Sequence, residues 1–411
     1  MIPVLQAISI GIFVFFIIYA IATLTLLAMS VREISWYSRG KSPIHARHRE
    51  IANRPSVSLV TPAYNEETLI VQSAKAFLAS DYSPLEVVVV DDGSKDETFA
   101  RLNEAFDLVP LPLRGRTELP TAPIRSVHIS RTEPRLRVVH KDNGGRSDAI
   151  NAGISIARGE LVVVVDADSL LEPEAITRAV DPFEVNPDHC MAVGGGIRVA
   201  NGSKIVGGQV VTPGVIHHLM RPQMKDAHVV FAPDAVCWTE APGTMGGLRN
   251  QRVRWHTGLL DNLRMHWRMT GRPRFGAAGT FAMPYLVLFE ATEPLVEVVG
   301  FAIVVTLVIL NAVNWTYVLA FFLIAAVTGE VLSATALLIE EIGFRRYKAK
   351  DLARLTAWGM LESLWFRPAL AWWRLKATAL ALIGRRPGWG TIPRGAAILE
   401  QPVEQVSPLT R

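Results

Sequence analysis

The sequence predicts an α/β domain, with a mostly parallel sheet and helices on both faces, joined to α-helical transmembrane segments. The 411 residues are 50% hydrophobic and only 19% charged, and the mean hydropathy is +0.25, whereas a soluble domain usually carries about 25% charged residues. Apolar residues are concentrated at the start and in the last third of the chain, while the middle alternates β-branched runs with helical stretches. The length corresponds to two to three domains.

Charge and cysteine content exclude several classes of protein. The formal charge is +4, from 42 Lys and Arg against 38 Asp and Glu. So small a surplus is not the signature of a nucleic-acid-binding protein, and we expect no nucleic-acid partner. The cysteines Cys190 and Cys237 cannot form a disulfide framework and show no metal-ligand spacing. Such cysteine usage fits a reducing compartment.

The first 30 residues predict a retained transmembrane helix. Residues 3–30 contain no charged side chain, and about 20 apolar residues span a bilayer. A signal peptide would need a basic start and a shorter apolar core. The basic linker that follows, residues 31–54, predicts that the chain then lies on the cytoplasmic side. Its basic residues include Arg32, Arg39, Lys41, Arg47 and Arg49.

The middle of the chain predicts strands and helices in alternation. The predicted strands are 57–61, 85–91, 136–140 and 161–165, and the predicted helices include 67–79 and 147–158. Alternation of this kind calls for a parallel sheet covered by helices on both faces. Residues 107–134 are rich in Pro and Arg and are interpreted as an insertion or a long loop.

The last third predicts further membrane segments and therefore a multi-pass integral protein of a plasma or inner membrane. Residues 276–340 contain two predicted transmembrane helices, at 280–310 and 316–339. Basic residues at 344–351 predict a return to the cytoplasmic side. Residues 341–394 are interpreted as interfacial or re-entrant helices in a hairpin, because charged residues and Pro368 interrupt them. Residues 395–411 form a tail.

Three carboxylates lie on one face of the first of these segments. Glu290, Glu293 and Glu297 follow helical spacing, and acids at membrane depth often line a polar path. The alternative is an interfacial helix whose acids stay among the lipid headgroups. Pro284 and Pro294 favour this alternative, because they predict irregular backbone there.

Polar clusters follow the predicted strands. They are Tyr64-Asn65-Glu66, Asp91-Asp92 and Asp166-Ala167-Asp168. Open α/β sheets bind ligands at the carboxyl ends of their strands. The first strand is not followed by GxGxxG, and the sequence contains no GxxxxGK[ST], so dinucleotide and P-loop phosphate binding are disfavoured.

The Asp166-Ala167-Asp168 pair is a candidate metal site. Two carboxylates at a strand end suit Mg²⁺ or Mn²⁺ held partly by the protein and partly by substrate phosphates. Such an ion would neutralise a leaving nucleoside diphosphate. The alternative is that both residues form a turn after the strand, where Asp is common.

Gln251-Arg252-Val253-Arg254-Trp255 is the more distinctive cluster. On a helix, Gln251, Arg254 and Trp255 share one face. Arg254 can bind a diphosphate with both arms of its guanidinium, Trp255 can stack on a sugar ring, and Gln251 can donate to hydroxyls. The alternative is an interfacial amphipathic helix with Trp and Arg at the headgroups.

These residues together resemble membrane-embedded family 2 glycosyltransferases, which include the cellulose, chitin, hyaluronan and poly-N-acetylglucosamine synthases. The resemblance covers residues 55–275 and keeps the order of the family's motifs. The matching pieces are TPAYNEE (61–67), VVVVDDGSKDET (87–98), KDNGGRSDAINAG (141–153), VDADS (165–169), CWTEAPGT (237–244) and QRVRW (251–255).

The resemblance implies a cytoplasmic GT-A-like nucleotide-sugar-binding domain beside a lipid bilayer. It implies an inverting transfer from a UDP-sugar donor to a polysaccharide or lipid-linked acceptor, and leaves room for an accessory subunit. The implied uridine ligands are Pro62, Tyr64, Glu66 and Asp91 or Asp92. The implied diphosphate and sugar ligands are Lys141, Arg146 and Asp166. Asp166 and Asp168 would also hold the metal. The resemblance further implies that the diphosphate is capped, and the floor of the acceptor site formed, by Gln251, Arg254 and Trp255.

The chain departs from the family at the general base. The family carries this carboxylate in a Gly/Thr-Glu-Asp motif between its DxD and QxxRW elements, and the chain shows no such motif over the 83 residues that separate Asp168 from Gln251 (251 − 168). Asp226 and Glu240 are the nearby replacement candidates. Two interpretations follow: an active enzyme whose base is supplied unusually, or a catalytically impaired relative that binds nucleotide sugar or serves in assembly.

Overall fold

A computed structural model describes most of the chain. The described residues are 2–38, 54–112, 119–185, 187, 189–199, 215–218, 228–239, 242, 244–316, 318–320, 323, 327, 331, 335 and 349–385. They fold into two compact units. The helical unit contains residues 2–38 and the described residues from 244 onward, and the sheet unit contains those of 54–242. The sequence put the end of the α/β domain at residue 275, whereas the structure groups residues 244–275 with the helical unit.

One sheet runs through the sheet unit. In spatial order its described strands are β3-β4-β5-β2-β1-β6-β9-β8-β10-β7. Their bounds are β1 Val57–Ala63, β2 Leu85–Asp91, β3 Leu108–Leu111, β4 Ile124–Ser130, β5 Leu136–Lys141, β6 Leu161–Val164, β7 Ser169–Leu171, β8 Cys190–Val199, β9 Val215–His218 and β10 His228–Thr239.

The centre of the sheet is parallel and its outer pairings are mostly antiparallel. Strands β5, β2, β1 and β6 run parallel to one another, whereas β3, β4, β7 and β9 pair antiparallel with their neighbours. The predicted α/β class with helices is confirmed, and the sheet is mixed.

The prediction of an insertion or long loop at residues 107–134 is wrong. Strands β3 and β4 lie within this range and extend the sheet beyond β5. Pro110 sits in β3, at the end of the sheet order, where a missing N–H need not disrupt a ladder. Proline there was misread as a loop signal.

Helices cover both faces of the central strands. They are α2 Ile70–Leu78, α3 Thr98–Phe106, α4 Arg146–Ile156 and α5 Ala175–Val185. In β2, the successive residues Val87 to Val90 are all fully buried. Since neighbouring residues of a strand point to opposite faces, both faces of the sheet are covered there. Val60 and Val88 pack with Ala149 and Ala152 of α4 in one core cluster.

Long helices dominate the helical unit. They are α1 Ile2–Ser38, α6 Met245–His266, the short α7 Met283–Tyr285, α8 Glu293–Ile309 and α9 Ala349–Leu382. Two segments of the described chain, Ile2–Arg32 and Ala278–Ile309, are long and apolar enough to cross a membrane. The predicted transmembrane helix at 316–339 lies mostly outside the described residues.

The predicted helical hairpin within residues 341–394 is wrong. The structure shows one continuous helix, α9, with Pro368 in its interior. Charged side chains interrupt an apolar pattern without interrupting the backbone hydrogen bonds of a helix. A single proline removes one such bond and kinks a helix more readily than it ends a long one.

Candidate active site

The predicted strand-end motifs meet at one edge of the sheet. Strands β5, β2, β1 and β6 are neighbours, and Ala63 at the end of β1 lies opposite Asp91 of β2, which lies opposite His140 of β5. The Tyr64-Asn65-Glu66, Asp91-Asp92 and Asp166-Ala167-Asp168 clusters all follow these strand ends. We call this the carboxyl edge.

Asp92 holds the glycine-rich turn that leads into α4. One carboxylate oxygen accepts from Lys141 Nζ at 2.6 Å and from the Gly144 N–H at 3.0 Å. The other oxygen accepts from the Gly145 N–H at 2.8 Å, and Asn143 donates to the Asp92 carbonyl at 2.8 Å. Asp92 is 3% exposed. In the structure this carboxylate is therefore a buried anchor for the turn.

Lys141 is buried between two carboxylates. Its side chain is 0% exposed, and Nζ lies 2.6 Å from both Asp92 and Asp148. Burial acts to raise the pKa of Asp148. Hydrogen bonds from Lys141, the Ala122 N–H and Thr121 outweigh burial, so the pKa of Asp148 is lowered. The ammonium therefore joins β5 to α4, and its predicted contact with the donor stays a prediction.

Asp91 pairs with a histidine that sequence reasoning missed. His140 Nδ1 lies 2.7 Å from Asp91 Oδ2, and the Ser94 N–H donates to Asp91 Oδ1 at 3.0 Å. The Phe99 ring lies 5.0 Å from the His140 ring. His140 immediately precedes Lys141 at the end of a predicted strand, and that position was the available signal.

The loop after β1 is tied to the loop after β2. The Asn65 side chain accepts from the Lys95 N–H at 2.9 Å, and the Asn65 N–H donates to Ser94 Oγ at 3.0 Å. The Glu66 N–H donates to Thr98 Oγ1 at 2.8 Å. Asn65 has φ of 57°, a left-handed conformation that Asn tolerates better than most residues. These bonds fix the loop while Pro62, Tyr64 and Glu66 remain half-buried.

Asp166 forms an exposed ion pair with Arg146. Arg146 Nε lies 2.8 Å and Nη2 lies 2.7 Å from Asp166 Oδ1. The side chains are 42% and 47% exposed. Arg146 belongs to the first turn of α4, directly after the turn that Asp92 anchors. The structure thus brings together two of the predicted donor-binding residues.

Asp166 and Asp168 both affect the pKa of Cys237. The pKa of the Cys237 thiol on β10 is raised well above its ordinary value by burial, and then by the charges of Asp166 and Asp168. Ser169 Oγ donates to Asp168 Oδ1 at 3.2 Å. Across the described residues, no three His, Cys, Asp or Glu side chains form a metal cage. Two carboxylates suit Mg²⁺ or Mn²⁺ that completes its shell with substrate phosphate oxygens.

The predicted set of Gln251, Arg254 and Trp255 lies on α6 of the helical unit. Thr244 caps this helix by accepting from the Gly247 N–H at 3.1 Å. Gln251 and Arg254 are half-buried, and burial lowers the pKa of Arg254. Trp255 is 59% exposed, and the Arg252 guanidinium lies 4.8 Å from the centre of its ring. The predicted sharing of one site by this set and Asp166–Asp168 stays a prediction.

The general base stays unassigned. The replacement candidates that the sequence offered, Asp226 and Glu240, lie outside the described residues. Asp234, on β10, is half-buried, and its backbone carbonyl accepts from Arg178 at 2.8 Å.

Comparison with known proteins finds similarity in both units of the chain. Residues 58–232 match the glycosyl transferase family 2 model, and residues 214–376 match a chitin synthase model. The chain is 22% identical to the poly-β-1,6-N-acetyl-D-glucosamine synthase of Staphylococcus epidermidis over 385 residues, covering 80% of this chain and 82% of that protein. It is 23% identical to the synthase of the same name from Staphylococcus aureus strain COL over 308 residues, covering 63% and 65%.

A solved structure supports the same assignment at the level of the fold. A mannosyltransferase from Pyrobaculum calidifontis, solved with GDP-Man and Mn²⁺, superimposes with a TM-score of 0.56 and 18% identity, covering 93% of this chain and all of that one. Residues 58–232 are therefore similar to the family 2 glycosyltransferases, and the structure has a GT-A-like fold.

Proposed function

We propose that this protein is a membrane-bound inverting glycosyltransferase that moves a sugar from a UDP-sugar to a polysaccharide or lipid-linked acceptor. The observation that carries the proposal is the exposed Asp166 at the carboxyl edge, held by Arg146 and near Asp168. The poly-N-acetylglucosamine synthase relatives favour UDP-N-acetylglucosamine as the first donor to test. The two apolar segments Ile2–Arg32 and Ala278–Ile309 support attachment to a lipid bilayer.

The donor would lie along the carboxyl edge. Pro62, Tyr64 and Glu66, on the loop fixed by Asn65, and the Asp91–His140 pair would contact the uridine. The Asp92–Lys141 pair would act by holding the turn before α4, so that Arg146 presents its guanidinium to the diphosphate. Arginine suits this position because its planar fork matches two phosphate oxygens.

Asp166 and Asp168 would hold Mg²⁺ or Mn²⁺ together with the donor diphosphate. The ion supplies charge neutralisation for the departing UDP. The carboxylates fit because a GT-A-like site that recruits phosphate oxygens needs few protein ligands. When the diphosphate arrives, Arg146 would exchange its bond to Asp166 for a bond to phosphate.

The transfer itself would be a single displacement. The acceptor hydroxyl oxygen bonds to the anomeric carbon, the bond from that carbon to the diphosphate oxygen breaks, and a carboxylate base takes the hydroxyl proton. Gln251, Arg254 and Trp255 of α6 would orient the diphosphate and the acceptor sugar. An accessory subunit that completes the site is compatible with this proposal.

A second candidate function is donor binding without transfer. The absence of the Gly/Thr-Glu-Asp motif from the sequence favours it. An impaired relative would keep the carboxyl edge and lose the base, so binding and transfer must be measured separately.

The test uses the full chain purified in lipid nanodiscs. Calorimetry with UDP and Mn²⁺ should show binding that D166N and D168N each weaken by at least about tenfold, since loss of even an outer-shell partner of a metal ligand costs about 10-fold to 100-fold in metal affinity. Radiolabelled UDP-sugars should then give a labelled product. Binding without transfer or hydrolysis supports the second candidate, and no UDP binding by the unaltered chain rejects both.

A further inference from the structure

The apolar segment Ala278–Ile309 is interrupted at a proline. Wide π-type turns occupy Ala278–Ala282 and Leu286–Ala291, and α8 starts at Glu293 with Pro294 in its first turn. In a regular helix the carbonyl of Glu290 accepts from the N–H of residue 294. Proline has no N–H, so this carbonyl loses its ordinary partner. An unpaired carbonyl in apolar surroundings costs several kcal/mol.

Arg374 of α9 supplies the missing donor. Its Nη2 donates to the Glu290 carbonyl and lies 3.1 Å from the Glu290 carboxylate. Its Nη1 donates to Glu293 Oε2 at 2.6 Å. The Arg374 side chain is 17% exposed. One guanidinium thus replaces the bond that Pro294 withholds and neutralises two acids on the same face.

The same arginine contacts α6. Arg374 Nε donates to His256 Nδ1 at 3.4 Å, so His256 Nε2 carries the proton and donates to Thr378 Oγ1 at 2.9 Å. The Thr378 hydroxyl in turn donates to the Arg374 carbonyl at 3.1 Å. The donor and acceptor roles along this chain of hydrogen bonds are therefore mutually consistent. We call Glu290, Glu293, His256, Arg374 and Thr378 the Arg374 cluster.

His256 can accept from Arg374 because it is neutral. It is 4% exposed, and burial, followed by the charge of Arg374, lowers its pKa to about 4. The charge that acts on His256 comes from Arg374 of α9, and Arg374 itself pairs with Glu290 and Glu293. His256 directly follows Trp255, so holding His256 sets the rotation of α6 about its axis and the direction of the Gln251, Arg254 and Trp255 face.

We propose that Arg374 is a positioning residue that donates the backbone hydrogen bond withheld by Pro294 and thereby locks α6 to the broken apolar helix. The structural half of this statement is independent of transfer activity. The positioning half rests on the proposed function of Gln251, Arg254 and Trp255.

A double-mutant cycle tests the structural half. Thermal unfolding in nanodiscs is measured for the unaltered chain, R374K, P294A and R374K/P294A, because Lys keeps the charge but lacks the fork. R374K should lower the melting temperature by a few °C. P294A restores an N–H for the Glu290 carbonyl, so the loss caused by R374K should fall by half or more in the P294A background. Strictly additive shifts overturn the proposal.

Two further variants accompany this cycle, one as a control and one as a stronger change at Arg374. K376Q removes an exposed cation from the same helix and should leave the melting temperature unchanged. R374Q leaves two acids without their cation and is the stronger change. If R374Q does not fold, R374K still carries the test.

Transfer kinetics test the positioning half. R374K should lower kcat on the order of 10-fold to 100-fold with donor KM within about twofold, and P294A should restore part of kcat. In R374Q the pKa of His256 should rise, so the acid limb of the kcat profile moves to higher pH. An equal fall in kcat and in folded protein, with no movement of this limb, rejects positioning. A wild-type chain without transfer rejects the proposed function, while the stability cycle still decides the structural half.

Discussion

Single residues at the carboxyl edge have contacts that divide them into two groups. Asp92 and Lys141 are buried and bonded within the fold, so their effect on a ligand passes through the turn that they hold. Arg146 and Asp166 are exposed and bonded to each other. An exposed ion pair is worth only about 0.2–1 kcal/mol, so a diphosphate and a metal ion can separate it at little cost.

Replacing Arg146 is therefore expected to strengthen Mn²⁺ binding in the absence of the donor and to weaken binding of the nucleotide. Without UDP, R146Q should bind Mn²⁺ about two to five times more tightly, because Asp166 is released from its ion pair. With UDP present, R146Q should bind the nucleotide more weakly, because the diphosphate loses its fork. Electron paramagnetic resonance titration of Mn²⁺, with and without UDP, measures both effects.

The matched control for this experiment is R131Q. Arg131 forms another exposed pair, 3.7 Å from Asp107, on the β3–β4 side of the sheet. This variant should change neither titration. Equal Mn²⁺ affinity of R146Q and the unaltered chain without UDP would contradict the proposed exchange at Asp166.

At the scale of elements, the approach of α4 to the sheet depends on Gly153. A Cβ at this position would lie 2.3 Å from Val60 Cγ1 and 3.1 Å from Val90 Cγ2. Valine side chains in a sheet core cannot swing away, because their χ1 angles are restricted. The glycine therefore lets α4 lie close enough to bring Arg146 to the carboxyl edge.

G153A is expected to destabilise the protein. Overpacking costs roughly 1–3 kcal/mol, and the better helix propensity of Ala returns at most about 1 kcal/mol, so the net change is unfavourable. G258A is the matched control, since Gly258 lies inside α6 with no atom near its added Cβ, and it should be neutral or stabilising. Thermal unfolding compares the two, and a G153A protein as stable as G258A would refute the packing argument.

At the scale of the whole molecule, we propose a topology from the basic residues of 31–54 and 344–351. It puts the sheet unit in the cytoplasm and residues 311–315, between the two predicted transmembrane helices, outside. Cys190 and Cys237 are buried, so they should not react with a membrane-impermeant maleimide, and single cysteines can be added to the natural sequence. Lys95 in the sheet unit and Asn314 in the helical unit are both exposed.

K95C should be labelled in inverted vesicles and not in intact cells, and N314C should show the opposite pattern. The impermeant reagent reaches one side only, which is the physical basis of the contrast. The unaltered chain serves as the unlabelled control. Labelling of both variants from the same side would contradict the proposed topology.

The sequence by itself determined the class of fold and the residues worth testing. Runs such as Leu85–Asp91 and the apolar segment at 3–30 are local patterns, and burial follows from them directly. The strand-end carboxylates were also predictable, because neighbouring parallel strands end at one edge. The sequence misled where a local signal was ambiguous, as with the prolines of β3 and α9.

Only the tertiary structure decided which polar side chains pair. Asp92 and Lys141 are 49 positions apart, and Glu290 and Arg374 are 84 apart. Such pairs arise when packing brings distant segments within about 3 Å, and a periodic pattern in the sequence carries no record of that distance. The same reason explains why the pairing of His140 with Asp91 and of Arg374 with Glu290 became visible only after the fold was known.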